Sequence, residues 1–127
     1  MDIPTEDVLK GLRELASLYA VSEPGKWLQD FPWKSIPVNL KTLPKDVCGM
    51  YFMGRICLMN CGEASALFPI YVHELRHRWQ RVTNPVRYFL GKIYRPLIER
   101  DADREENAAS EWLDNRSLLR LREWMEI

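Results

Sequence analysis

The sequence predicts an α+β fold in a single domain over 1–127, with a short sheet packed on two principal helices. Three observations carry this. Apolar residues recur at helical spacing near the start of the chain, before Thr83 and again after Pro96. One stretch, Cys48–Asn60 (CGMYFMGRICLMN), is instead dense in aromatic and large apolar residues around a glycine. The chain has 127 residues, room for one domain, and its five Trp, five Tyr and four Phe supply a dense core.

Each element follows from local signals. Val8, Leu12, Leu15, Ala16 and Tyr19 mark a first helix over about 5–20, with Glu6 and Asp7 in the first turn, where they suit the helix dipole. Pro24, Gly25, Pro32, Pro37 and Pro44 break the next stretch, and Trp27, Phe31 and Trp33 within it read as aromatics laid on the core. A short strand is expected over 37–43. Residues 48–60 predict a hairpin or two short strands about Gly54, closed by a turn at Asn60-Cys61-Gly62. Pro69 fits only the first turn of a helix, so the next helix is expected from about Ala66 to about Arg81. Thr83-Asn84-Pro85 ends it, and Tyr88–Pro96 reads as a connection. A further helix is expected over Leu97–Leu113, then a turn at Asp114-Asn115. Leu118, Leu119, Leu121, Trp124 and Met125 suggest a last short helix that packs on the domain.

Composition narrows the function classes. An apolar share of 46% with 28% charged residues is that of a globular chain and argues against disorder. Eighteen basic residues balance eighteen acidic ones, so no overall field draws the molecule to nucleic acid or to a membrane, and neither partner is expected. Charge is uneven locally: Arg76, Arg78, Arg81, Arg87, Lys92, Arg95 and Arg100 form a basic stretch that would favour acidic substrates if it is more than a solvated face. The opening residues lack the basic start and apolar run of a secretory signal, and no run is long enough to span a bilayer. Cys48, Cys57 and Cys61 are an odd number without paired two-residue gaps, so buried free thiols in a cytoplasmic protein are expected.

The helix expected from about Ala66 to about Arg81 carries His73-Glu74-Leu75-Arg76-His77, the His-Glu-x-x-His pattern of zinc metallopeptidases. Four residues make just over one helical turn, so both imidazoles project from one face and can share one tetrahedral metal. Glu74 is placed to take a proton from a metal-bound water. These are the only two histidines in the protein, so its whole histidine complement sits at ligand spacing. A catalytic zinc needs a third protein ligand, which must here be a carboxylate or a cysteine. Glu99 and Asp103 share a helix face at i and i+4, and the small Ala102 between them permits close approach to the motif helix. Glu99 would complete the ligand set, and Asp103 would accept the second ring proton of a ligating histidine. Glu106, seven residues after Glu99 on that face, is a rival; two helical turns, about 10 Å, mean that only one of them reaches the metal.

His-Glu-x-x-His followed by Glu-x-x-Ala-Asp on a later helix resembles the gluzincin metallopeptidases, and the short chain resembles their minimal members, the minigluzincins, over about residues 48–113. His-Glu-Leu-Arg-His-x-Trp-Gln is also similar to small phage and bacterial metallopeptidases. The family resemblance implies a zincin-like fold and a zinc endopeptidase, with His73, His77 and Glu99 as ligands, Glu74 as general base and acid, and Asp103 in support. It favours Glu99 over Glu106, because only Glu99 has the alanine and aspartate at the expected offsets. It also implies that the strand-forming stretch Tyr51–Met59 borders the cleft and pairs with an extended peptide or unstructured protein, unless that strand is central and has no free edge. Larger gluzincins place a His or Tyr to stabilise the oxyanion; with no third histidine, Tyr88, Tyr94 and Arg95 are the candidates. Two other classes stay open. One is an inactive protein stapled by zinc that binds a partner, and the other is a nucleic-acid-associated protein using the basic stretch.

Overall fold

A computed structural model describes residues 5–52, 54–60, 63–93 and 95–126. Helix α1 spans Thr5–Ala20 as the apolar spacing predicts, burying Val8, Leu12, Ala16 and Tyr19 along one stripe. Two 3₁₀ turns, Lys26–Asp30 and Trp33–Ser35, carry the proline-broken segment and deliver Leu28, Phe31 and Trp33 to the core. Strand β1 follows at Val38–Lys41.

The stretch around Gly54 divides into β2, Gly49–Phe52, and β3, Arg55–Met59. Gly54 holds φ +76° between them, a left-handed conformation that costs glycine nothing. The strand order is β1-β3-β2, with β3 parallel to β1 and antiparallel to β2. The stretch 51–59 therefore contains both a central strand and an edge strand. Met50 and Tyr51 of the edge strand pair with Cys57 and Ile56 on one side, and no strand among the described residues lies on the other.

Helix α2 runs from Ala64 to Thr83 and lies across β2 and β3, burying Leu67, Phe68, Tyr71, Val72 and Leu75. It starts earlier than expected, so Pro69 sits past the first turn. The carbonyl that Pro69 leaves without its usual partner belongs to Ser65, an exposed residue where water can substitute.

Two further expectations are corrected. The segment read as a connection is largely a helix, α3, over Pro85–Ile93, with Pro85 at its first position, where a missing N–H costs nothing. The helix after it, α4, runs unbroken from Arg95 to Met125. Asp114 and Asn115 lie exposed on its surface; they are modest helix formers rather than breakers, and no Gly or Pro follows Pro96. Leu118, Leu119, Leu121, Trp124 and Met125 consequently stay exposed on the end of α4 and do not pack on the domain.

Ala102 and Ala109 of α4 are fully buried, and their size brings α4 close along α2. Trp112 caps this contact against Tyr19 and Phe68 at ring separations of 5.1 and 5.8 Å. The result is a small mixed α+β architecture with, among the described residues, four α-helices and a three-stranded sheet. Among the described residues no helix is long and apolar enough to cross a membrane. Cys48 is exposed and Cys57 half-buried, both as free thiols, so the expectation of buried thiols fails at Cys48; Cys61 and the turn at Asn60-Cys61-Gly62 lie at least partly outside the described residues.

Candidate metal centre

The centre is built where α2 and α4 run side by side. Residues 73 and 77 lie one turn apart on α2, and α4 brings Glu99 to both. His73 Nε2 is 3.0 Å from Glu99 Oε2, and His77 Nε2 is 3.2 Å from Glu99 Oε1. The ligand-capable atoms of these three residues all lie within 4.8 Å of one another. The histidine side chains are 12% and 9% exposed while Glu99 is 45% exposed, so the cluster opens to solvent from the α4 side.

The far edges of both rings are also engaged. His73 Nδ1 is buried and lies 3.0 Å from Glu106 Oε1 and 3.2 Å from Asp103 Oδ1, close enough for charge pairing although neither contact is an aligned hydrogen bond. Asp103 thus stands where second-ring-proton support was expected. Glu106 shares that position and is not grouped with the two Nε2 atoms.

Around His77 the network fixes a tautomer. Gln80 uses its amide nitrogen to donate to Ile98 O at 3.0 Å and to Asp101 Oδ2 at 2.8 Å. That orients its Oε1 toward His77 Nδ1, 3.0 Å away, so Nδ1 must carry the proton and donate. Nε2 is left with a lone pair facing the Glu99 carboxylate. Two electron-rich atoms at that separation repel unless a cation or a proton stands between them. Burial holds the His77 imidazole below its ordinary pKa, against the hydrogen bond to Gln80 and the charge of Glu99, which favours the neutral ring a metal requires.

Arg76 anchors this network. Its guanidinium stacks 3.6 Å from the Trp79 ring centroid and 4.9 Å from that of Trp27, and it binds Asp101 through Nε at 2.8 Å and Nη2 at 3.2 Å. Burial alone would raise the Asp101 carboxyl, but the hydrogen bonds from Arg76 and Gln80 outweigh it and hold the group below the usual aspartate value. Asp101 is committed to these donors.

Glu74 is 5% exposed, packed against β2. A Cβ at Gly49 would sit 2.7 Å from Ile70 Cγ2 and 3.5 Å from Glu74 Cγ, so only glycine lets the strand lie this close to the motif helix. Burial pushes the Glu74 carboxyl up to about 7; His73 opposes the shift, while Glu99 and Glu106 add to it. Tyr51 of β2 accepts a hydrogen bond from Arg78 Nη1 at 3.0 Å, tying the strand to the motif helix at a second point.

Of the residues considered for oxyanion stabilisation, Tyr88 is buried on the inner face of α3. Burial raises its pKa, and the charges of Tyr51, Glu74 and Glu99 add to the shift against Arg81, so its hydroxyl is protonated near the centre. Arg95 is exposed, and Tyr94 lies outside the described residues. Gln80, Asp101 and Arg76 are the contacts around the cluster that sequence reasoning missed. The signal for Gln80 was its place three residues after His77, on the same side of α2. No family model, curated protein or solved structure matches this chain.

Proposed function

We propose that the chain is a zinc metallopeptidase of gluzincin-like, minigluzincin-like type, with a zincin-like fold. The observation that carries the reading is the convergence of two histidine Nε2 atoms on one carboxylate, with the lone pair of His77 turned toward Glu99 by Gln80. Two imidazoles and a carboxylate suit zinc, and the solvent-open side leaves room for a further ligand. His73, His77 and Glu99 would hold the ion, with Asp103 and Glu106 setting the His73 ring and Gln80 the His77 ring.

Bound zinc would supply Lewis acidity, polarising the scissile carbonyl and making water acidic enough to ionise near neutrality. Glu74 then takes the proton from the attacking water and passes it to the leaving amine. Its raised pKa suits both halves of that transfer at neutral pH. The free edge of β2, pinned beside Glu74, would take up an extended peptide or an unstructured protein segment by backbone pairing.

The test is metal analysis of the purified protein with and without chelator. The reading expects a single zinc per chain, lost in His77→Ala, and a lower melting temperature after chelation, because metal stabilises the folded state by linkage. Unchanged metal content and melting temperature in His77→Ala would refute it. Tight zinc with no cleavage of a denatured protein would assign the site to a purely structural role.

A further inference from the structure

We propose that the outer face of α3 docks on an anionic lipid surface. Val86, Phe89, Leu90 and Ile93 are 71%, 72%, 60% and 76% exposed, and Leu97 at the start of α4 extends the patch at 63%. On a helix at 100° per residue these four α3 positions fall within one side. The opposite side is fixed against the domain. Tyr88 is buried there, and a Cβ at Gly91 would come within 2.3 Å of Ile98 Cγ2, so α3 is seated on α4 at a contact only glycine permits. The helix cannot roll to hide its apolar face without losing that seat.

Charge selects the occupant. From Arg81 to Ile98 the sequence holds Arg81, Arg87, Lys92 and Arg95 and no Asp or Glu, in a chain whose total charge is zero. Arg81, Arg87 and Arg95 are exposed, and none is in an ion pair among the described residues. A short amphipathic helix with an all-apolar face and basic flanks is the form that lies in the headgroup layer of an acidic bilayer. The neutrality of the whole chain, which argued against membrane attraction, conceals this local segregation. A second copy is a poorer occupant: the five side chains are only 60–76% exposed, so at about 150 Å² for each whole large side chain they offer roughly 500 Å², well below the roughly 800 Å² per partner of a standard interface. The patch also has no hydrogen-bonding side chain that would specify a protein partner.

Since α3 packs on α2 and α4, the two helices that carry the candidate centre, docking would hold the centre near the lipid surface. The docking itself does not depend on the catalytic reading. It is tested by flotation of the full chain with phosphatidylcholine vesicles, with and without phosphatidylglycerol. Binding is expected only to the anionic vesicles and should weaken with salt. Phe89→Ser with Ile93→Ser should abolish it, and Arg87→Ala should reduce it by about fivefold. Leu118→Ser with Trp124→Ser, on the other exposed apolar stripe, should leave it unchanged. Melting temperatures check that each variant is folded; should the α3 double variant unfold, Arg87→Ala with Arg95→Ala decides the matter. Absence of flotation, equal binding to neutral vesicles, equal loss with the α4 variant, or a solution dimer dissolved by the α3 variant would each overturn the proposal.

Discussion

Replacing Gln80 by leucine separates a residue that positions a ligand from one that merely fills space. In the parent, Gln80 accepts the His77 Nδ1 proton at 3.0 Å and is itself locked by Ile98 O and Asp101. Leucine has similar volume and fits an 8% exposed position, but it offers no acceptor. A buried donor left unpaired costs about 1–3 kcal/mol. The imidazole has an escape: its proton can move to Nε2 and donate to Glu99 Oε1, 3.2 Å away. Metal-free Gln80→Leu should therefore lose little through His77, and its loss should come from the donors withdrawn from Ile98 O and Asp101 Oδ2, about 1–3 kcal/mol. Zinc must reverse the shift, so its affinity should fall by about 10–100-fold, as for other partners of ligating histidines. Competition titration against a chelator, with melts of metal-free protein, measures both. Zinc affinity equal to the parent's would refute the tautomer argument, as would a stability loss large enough to unfold the chain.

Removal of Glu99 by alanine should weaken zinc binding strongly, whereas Asp103→Asn and Glu106→Ala should each weaken it mildly and the pair together more, because either carboxylate can serve His73 Nδ1; isothermal titration with zinc ranks them. Gly49→Ala should lower stability by about 1–3 kcal/mol through the clash with Ile70 and Leu58, read by denaturant melts. Metal-free Glu74→Gln should be more stable than the parent above neutral pH. The folded pKa of Glu74 is raised from 4.5 to about 7, so ionisation opposes folding increasingly as pH rises between those values, a penalty of roughly 3 kcal/mol that glutamine lacks. Asp101 runs the other way: its depressed pKa adds stability above the ordinary aspartate value that is lost as pH falls through the folded one, so Asp101→Asn should flatten the acid limb of the stability profile.

Periodicity was a good guide wherever one face of an element is buried. The stripe Val8, Leu12, Ala16 and Tyr19 places α1, and the change to strand-forming residues around Gly54 places β2 and β3. It failed where helices carry exposed apolar residues or lack a breaker. The connection expected at Tyr88–Pro96 is largely α3, whose apolar face looks outward, and α4 continues past Asp114-Asn115 because the C-terminal half has no residue able to stop it. At the centre, the i, i+4 spacing of His73 and His77 and the small Ala102 were readable as a helix-to-helix site that Glu99 could reach. Which carboxylate meets which ring edge depends on the relative rotation of α2 and α4, a tertiary quantity. Gln80, Asp101 and Arg76 stayed hidden for the same reason, since their bonds cross between the helices.

The most direct test compares the zinc-loaded parent with zinc-loaded Glu74→Gln on casein or another denatured protein. Glu74 is not a ligand in this account, so both proteins should hold a single zinc per chain. Turnover by the variant should be lower by roughly 10²–10⁴, the factor associated with losing a general base. A zinc-loaded parent that cleaves nothing, or a variant that cleaves as fast as the parent, would contradict it.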